Sequence, residues 1–284
     1  MLKTLFLSLT CMVAVAHAGE RLEDRLKYLW DFDLAPNAGG VDLSNSALSA
    51  GAKNPGIQSL GKTGTQYLNY TTASNGGKFG TSYNASNTGT YPKISNANGI
   101  GLTYQDGFTV SMWIKPTNST VWGDYFTIGT STRSGGATNY LYVQSGGNNK
   151  YNVYGNGLIG NGGESTAPIT QNVWNHMALT YQNGVATLFL NGEQAGQWTG
   201  TPIANADVTQ FTLGNGDSGS KPTAMYDEVA LFSGALTKDQ VGYLAKGRVS
   251  DAIKAENAAV PEPATATLGL LSLAGLMLRR RRMA

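Results

Sequence analysis

Three groups of side chains in this 284-residue chain are of kinds that do chemistry. The acidic group is Asp31 and Asp33 near the start and the adjacent pair Asp227 and Glu228 near the end. A retaining glycosidase needs two carboxylates about 5–5.5 Å apart, which on a strand means acids on one face at i, i+2 or i+4. The glutamates are dispersed, and neighbours such as Asp227 and Glu228 point to opposite faces of a strand. A hydrolytic pair is therefore not expected, and the chain reads as a non-enzyme. The second group is a single histidine, His176, once an N-terminal signal carrying His17 and Cys11 is set aside. One histidine and no cysteine exclude thiol catalysis and a conventional zinc site. His176 reads as a structural residue hydrogen-bonded within a sheet. The third group is aromatic. Trp113 shares a strand face with Thr109, Ser111 and Lys115, while Trp122, Tyr125, Tyr140, Tyr142, Tyr151 and Tyr154 fall in a Gly/Ser/Asn-rich stretch. Flat rings beside amides suit sugar recognition, the rings stacking and the amides binding hydroxyls. Trp113, Tyr140 and Tyr142 are the candidate binding residues. Tyr140 and Tyr142, at i and i+2, are expected to share a face. The alternative is that the rings fill the core and rim of the fold.

Strands must position these groups. Gly, Asn, Ser, Thr and aromatics dominate, and charged residues are only 13% of the chain, a composition that favours turns and strands. Residues 28–33 read as a first strand. In Phe108–Lys115 strict alternation puts Phe108, Val110, Met112 and Ile114 on one face, and Pro116 closes the strand. Asn183-Gly184 between two alternating runs predicts a type I′ hairpin. That turn pairs Tyr181 with Ala186, Leu179 with Leu188 and Met177 with Leu190, all on one side. Asn191-Gly192 makes a second turn into Glu193–Trp198, and 211–213 and 225–232 are further strands. On the last of these Asp227 is expected on the core side with Met225, Val229 and Leu231. There it needs a partner: backbone N–H groups, a cation or a metal. Thr237–Gln240 is a capping box, Leu236 and Val241 form a staple, and Gly247 is expected to end one short helix as its C′ residue. Residues 248–259 read as a linker.

The ends carry addresses. Lys3, the apolar run Leu5–Ala16 and Ala16-His17-Ala18 form a signal peptide over 1–18. At the other end Pro261-Glu262-Pro263 precedes fifteen uncharged residues, 264–278, and then Arg279, Arg280, Arg281 and Arg282. Fifteen helical residues rise about 22 Å against a hydrocarbon core of roughly 30 Å, which suits a transient anchor with its arginines on the cytoplasmic side. The overall charge of +2 comes from these ends. Residues 19–247 hold 13 Lys/Arg against 15 Asp/Glu, a net of −2. No basic footprint remains for nucleic acid, which is excluded as a partner.

Four blocks carry a family resemblance: 28–33, 108–116, 173–193 and 225–237. They resemble laminin G-like, concanavalin A-like jellyroll domains. The resemblance implies an all-β sandwich of two curved antiparallel sheets over 19–247, with one short helix near its end. It also implies a structural Ca²⁺ held by Asp33, Asp227 and backbone carbonyls, against the alternative that Asp227 caps nearby amides. The laminarinase-type Glu-x-Asp-x-Glu run of some such domains is missing. Residues 260–284 resemble the PEP-CTERM sorting signal of Gram-negative bacteria. That resemblance implies an exosortase-type processing partner, passing contact with the inner membrane and a final place at the cell surface or in the matrix. The function expected is carbohydrate binding, to exopolysaccharide or a surface glycan, or adhesion. A structural matrix protein without a specific ligand is the alternative, and a glycoside hydrolase comes third.

Overall fold

The computed structural model describes residues 20–32, 76–80, 82–85, 93–95, 97–117, 122–130, 139–203, 206–214 and 222–259. A short helix, α1 (Leu22–Arg25), leads into β1 (Leu26–Trp30), and β2 (Tyr83–Ala85) and β3 (Lys93–Ser95) are brief. Then come β4 (Phe108–Pro116), β5 (Asp124–Gly129), β6 (Tyr140–Ser145), β7 (Lys150–Asn156) and β8 (Ile159–Pro168). The remaining strands are β9 (Asn175–Gln182), β10 (Val185–Leu190), β11 (Glu193–Thr199), β12 (Gln210–Leu213) and β13 (Ala224–Ser233). Two helices follow, α2 (Lys238–Leu244) and α3 (Val249–Ala259).

The strands form two antiparallel sheets. The first runs β1-β13-β4-β9-β10-β11, with β2 also pairing β13, and the second runs β3-β12-β5-β6-β7-β8. The alternation read from the sequence builds the core between them. Phe108, Val110, Met112 and Ile114 face Phe126, Leu141, Val143, Val153, Phe211 and Leu213 across the sandwich. The β9–β10 hairpin has the expected register, Tyr181 opposite Ala186, Leu179 opposite Leu188 and Met177 opposite Leu190. Its turn residues Asn183 and Gly184 have φ of 50° and 77°, as a type I′ turn demands. All six paired side chains lie in the main core.

A second, smaller core lies on the outer face of the first sheet. Ala178, Phe189, Ala230 and Phe232 are covered there by Leu22, Leu236, Val241, Leu244, Val249 and Ala252. The capping box at Thr237 and Gln240 is present in both directions. The helix, however, ends at Leu244 and not at Gly247, so Gly247 is not its C′ residue. The stretch expected as a linker holds α3. Val249, Ala252 and Glu256 of that helix are buried. Glu256 accepts from Leu22 N–H at 2.6 Å and from Gln240 Nε2 at 2.8 Å, which ties α3 to α1 and α2. The mainly polar, Ala-rich composition that suggested a linker is that of a helix docked by a few small residues.

The last strand holds the main correction. Along β13, Asp227 pairs with Trp113 and Ala230 pairs with Ser111, so Glu228 and Val229 together oppose Met112. This is a β-bulge, with Glu228 at φ 48°. The extra residue shifts the alternation by one. Ala224 and Tyr226 face the main core before it, and Val229 and Leu231 after it. Asp227, expected on the core side, therefore faces outward. Glu228 turns to the same outer face, where it meets α3.

Candidate functional site

On β6 and β7, Leu141, Val143 and Val153 fill the core. Alternation therefore sends Tyr140, Tyr142, Gln144, Asn152 and Tyr154 to the outer face of the second sheet. Cross-strand register sets them in rows. Thr212, Thr127, Tyr142 and Tyr154 are neighbours across β12, β5, β6 and β7. Gln144 pairs with Asn152 in the next row. The tyrosine rings stack as a ladder, 5.8 Å from Tyr140 to Tyr142 and 5.4 Å from Tyr142 to Tyr154 between centroids. Tyr140 and Tyr142 thus share a face as their spacing implied, at 8% and 6% exposure.

Beside the ladder the face is polar. Gln144, Asn152 and Gln210 are buried, yet Gln144 Oε1, Asn152 Oδ1 and Gln210 Nε2 make no hydrogen bond. A buried polar atom without a partner costs about 1–3 kcal/mol. Hydroxyl groups of a ligand would offset that cost. The sequence reading missed these three amides. The period of two that paired Tyr140 with Tyr142 also reaches Gln144, and it pairs Asn152 with Tyr154. Gln210 carries no local signal.

Trp122 stands just before β5 and is 45% exposed, at φ 71°. Its N–H donates to Ser145 O at 3.0 Å, and Gly123 N–H donates to Ser145 Oγ at 3.2 Å. Two further aromatics of this stretch, Tyr125 and Tyr151, turn inward. Tyr125 and Tyr151 are core residues with ring centroids 5.7 Å apart, and burial pushes both hydroxyls up from the usual tyrosine range.

Trp113 does not join this face. It lies on the outer side of the first sheet, across the sandwich from Tyr140 and Tyr142, because β4 belongs to the other sheet. Its Nε1 donates to Gly247 O at 3.1 Å, Phe79 meets it edge-on at 5.7 Å, and Lys78 Nζ lies 4.3 Å over its ring. The expected three-residue set is therefore not one site. His176, on the same outer side, is 1% exposed. Its Nε2 and Ser111 Oγ are 2.9 Å apart, and burial lowers its pKa to about 3. That is the structural histidine expected, held neutral.

Asp227 and Glu228 are held by the same surroundings. Asp227 Oδ2 accepts from Phe79 N–H at 2.9 Å and Oδ1 from Glu228 N–H at 2.8 Å. Glu228 pairs with Arg248 at 3.2 Å and caps Val249 N–H at 2.8 Å, while Arg248 also donates to Phe79 O. Asp33, the other expected ligand, lies outside the described residues. Among the described residues no three acidic or histidine side chains gather as a metal cluster.

Comparison with known proteins places this fold. A family model described as "Concanavalin A-like lectin/glucanases superfamily" matches residues 86–242. Among solved structures, the chain is similar to domain 4 of an extracellular GH43 arabinanase from Geobacillus stearothermophilus in complex with arabinotriose. Identity is 23%, over 60% of this chain and 79% of that one, with a TM-score of 0.43. It is similar to the Trypanosoma rangeli sialidase in complex with the inhibitor DANA, at 12% identity and TM-score 0.41, over 49% of this chain and 22% of that one. It is also similar to a heptameric SAP-like pentraxin from Limulus polyphemus, at 15% identity and TM-score 0.41, over 50% of this chain and 70% of that one. No curated protein matches the chain. The expectation of a non-enzyme does not stand. The similar structures include glycoside hydrolases, an arabinanase and a sialidase. The argument that Asp227 and Glu228 point apart also fails at the bulge. At these identities the likeness decides neither for nor against catalysis.

Proposed function

The chain belongs to the concanavalin A-like lectin/glucanases superfamily, and from that premise we propose an exported carbohydrate-binding protein of the bacterial cell surface or matrix. One observation carries the reading. Three stacked tyrosines share a sheet face with three buried amide atoms that make no hydrogen bond. A glycan lying across β6 and β7 stacks on the ladder and gives its hydroxyls to Gln144 and Asn152. Export rests on residues 1–18 and 260–284, with an exosortase-type enzyme as processing partner and the inner membrane as a passing one. No helix among the described residues is long and apolar enough to cross a membrane. The apolar run 264–278 lies outside the described residues.

Retention on immobilised polysaccharides tests this. Tyr142→Ala and Gln144→Ala are each expected to weaken retention about tenfold, roughly 1.4 kcal/mol. Retention unchanged in both variants overturns the site. One observation favours the second reading, a structural matrix protein without a specific ligand: Tyr140 and Tyr142 are 8% and 6% exposed. A wild-type chain retained by no polysaccharide supports that reading. Structural calcium at Asp33 and Asp227 belongs to the same proposal. A chelator that leaves the melting temperature of the wild type unmoved rules it out.

A further inference from the structure

We propose that the outward face of the Tyr154 ring is the stacking surface of the second sheet, and that it receives a single terminal sugar unit rather than a run of polysaccharide backbone. The inference rests on the carbohydrate-binding reading above and adds a residue and a ligand class to it. Within the ladder Tyr142 contacts both other rings, while Tyr154 contacts the Tyr142 ring alone among the described residues. Tyr140 and Tyr142 are buried, whereas Tyr154 is partly exposed. The ladder is closed at its middle and open at its β7 end.

The strand order says which way the open face points. β7 lies between β6 and β8, and β8 is the edge of the sheet. Tyr142 stands on β6, so the free face of Tyr154 is turned toward β8. There the register breaks. Val153 pairs with Gly163 and Gly155 with Ile159, so Tyr154 alone opposes Gly160, Asn161 and Gly162. Two of these three have no side chain to lay over the ring. Gly162 has φ 65°, and a Cβ on it would collide with Val153 O, so glycine is required there. Asn152 stands two residues before Tyr154 on the same face, about 7 Å along the strand. It is 2% exposed, with Oδ1 unbonded. That oxygen accepts from a donor such as a sugar hydroxyl, and one sugar unit bridges the ring and the amide. Glu164, opposite Asn152, is already engaged by Lys150 and Asn148. The next ring of the ladder, Tyr142, is 6% exposed, so the ladder offers no second open ring to a following unit.

Two variants and one competition test this. Tyr154→Leu keeps apolar bulk and removes the flat ring, and Tyr154→Phe keeps the ring. Each is assayed on immobilised laminarin, arabinan and galactan. On whichever polymer the wild type binds, Tyr154→Leu is expected to lose at least about tenfold in retention and Tyr154→Phe to stay within about threefold. Free oligosaccharides of that polymer, from two to six units, then compete for the wild type. The disaccharide is expected to compete within about threefold of the hexasaccharide. The competition uses the wild type alone, so it decides even if Tyr154→Leu unfolds. Wild-type retention in Tyr154→Leu overturns the platform and leaves the carbohydrate reading to the Tyr142 and Gln144 variants. Equal losses in Tyr154→Leu and Tyr154→Phe overturn stacking as the role of the ring. A hexasaccharide that competes better than the expected margin overturns the single-unit ligand. A wild type that binds none of the three polymers overturns the carbohydrate reading itself, a result distinct from the others.

Discussion

At 1% exposure His176 is cut off from water, and desolvation holds its pKa at about 3 against an ordinary 6.5. The unfolded chain takes up a proton at this residue below pH 6.5, whereas the native chain does not until about pH 3. Stability from this group is therefore whole above pH 6.5 and is lost as pH falls from there toward 3. The slope is about 1.4 kcal/mol per pH unit. Urea unfolding at pH 7 and pH 4 is expected to show it. Wild type loses about 3 kcal/mol more than His176→Gln between the two conditions. Equal losses in both proteins would mean that His176 is not held neutral. The histidine's structural role was legible from its apolar neighbours. The bulge at Glu228 was not. A single residue at φ 48° reversed the face of Asp227, and period-two counting has no term for an inserted residue.

Between the strands and the chain's end, α3 decides where the domain stops. Glu228 caps its first turn at Val249, and Glu256 reaches back to Leu22. Val249 and Ala252 bury their side chains against the first sheet's outer layer. A chain ended at Gly247 is thus expected to be less stable than one ended at Ala259 by about 3 kcal/mol, the worth of these apolar contacts and the caps together. Denaturant midpoints of the two forms measure the difference, and equal midpoints would restore the linker. The signals for α2 were local, Thr237 and Gln240 three residues apart, and so could be read. Those for α3 are partners far off in the chain, the Glu228 carboxylate on β13 and the Leu22 N–H and Gln240 amide that donate to Glu256.

Seen as a whole, the molecule has a front and a back. Helices α1, α2 and α3 cover the outer face of the first sheet, and the tyrosine ladder lies on the outer face of the second. Only residues 260–263 separate α3 from the apolar run 264–278, at most about 18 Å even when fully extended. A chain anchored by that run is therefore expected to hold its helical face near the bilayer and to turn the tyrosine face away. The absence of cysteine after Cys11 gives a clean background for labelling. In membrane-bound full chain, Lys254→Cys is expected to react with a bulky maleimide several-fold more slowly than in detergent, and Asn156→Cys equally in both. Equal rates at both sites on sedimented membranes refute the orientation. A chain that stays in the supernatant refutes the anchor instead.

What the amino-acid order determined by itself was whatever depends on near neighbours. The hairpin at Asn183-Gly184, the core faces of β4, β9 and β10, the capping box and the pairing of Tyr140 with Tyr142 all follow from periods of two or from three-residue spacings. The tertiary structure decided which of these faces meet. Trp113 and Tyr140 look alike in composition, yet they lie on opposite sides of the sandwich because β4 and β6 enter different sheets. Gln210 comes beside the second sheet's polar face only through the pairing of β12 with β5. Asp227 and Glu228 come to one face only through a bulge set against β4. Such pairings join residues far apart in the chain, and their energy appears only when both sheets are formed.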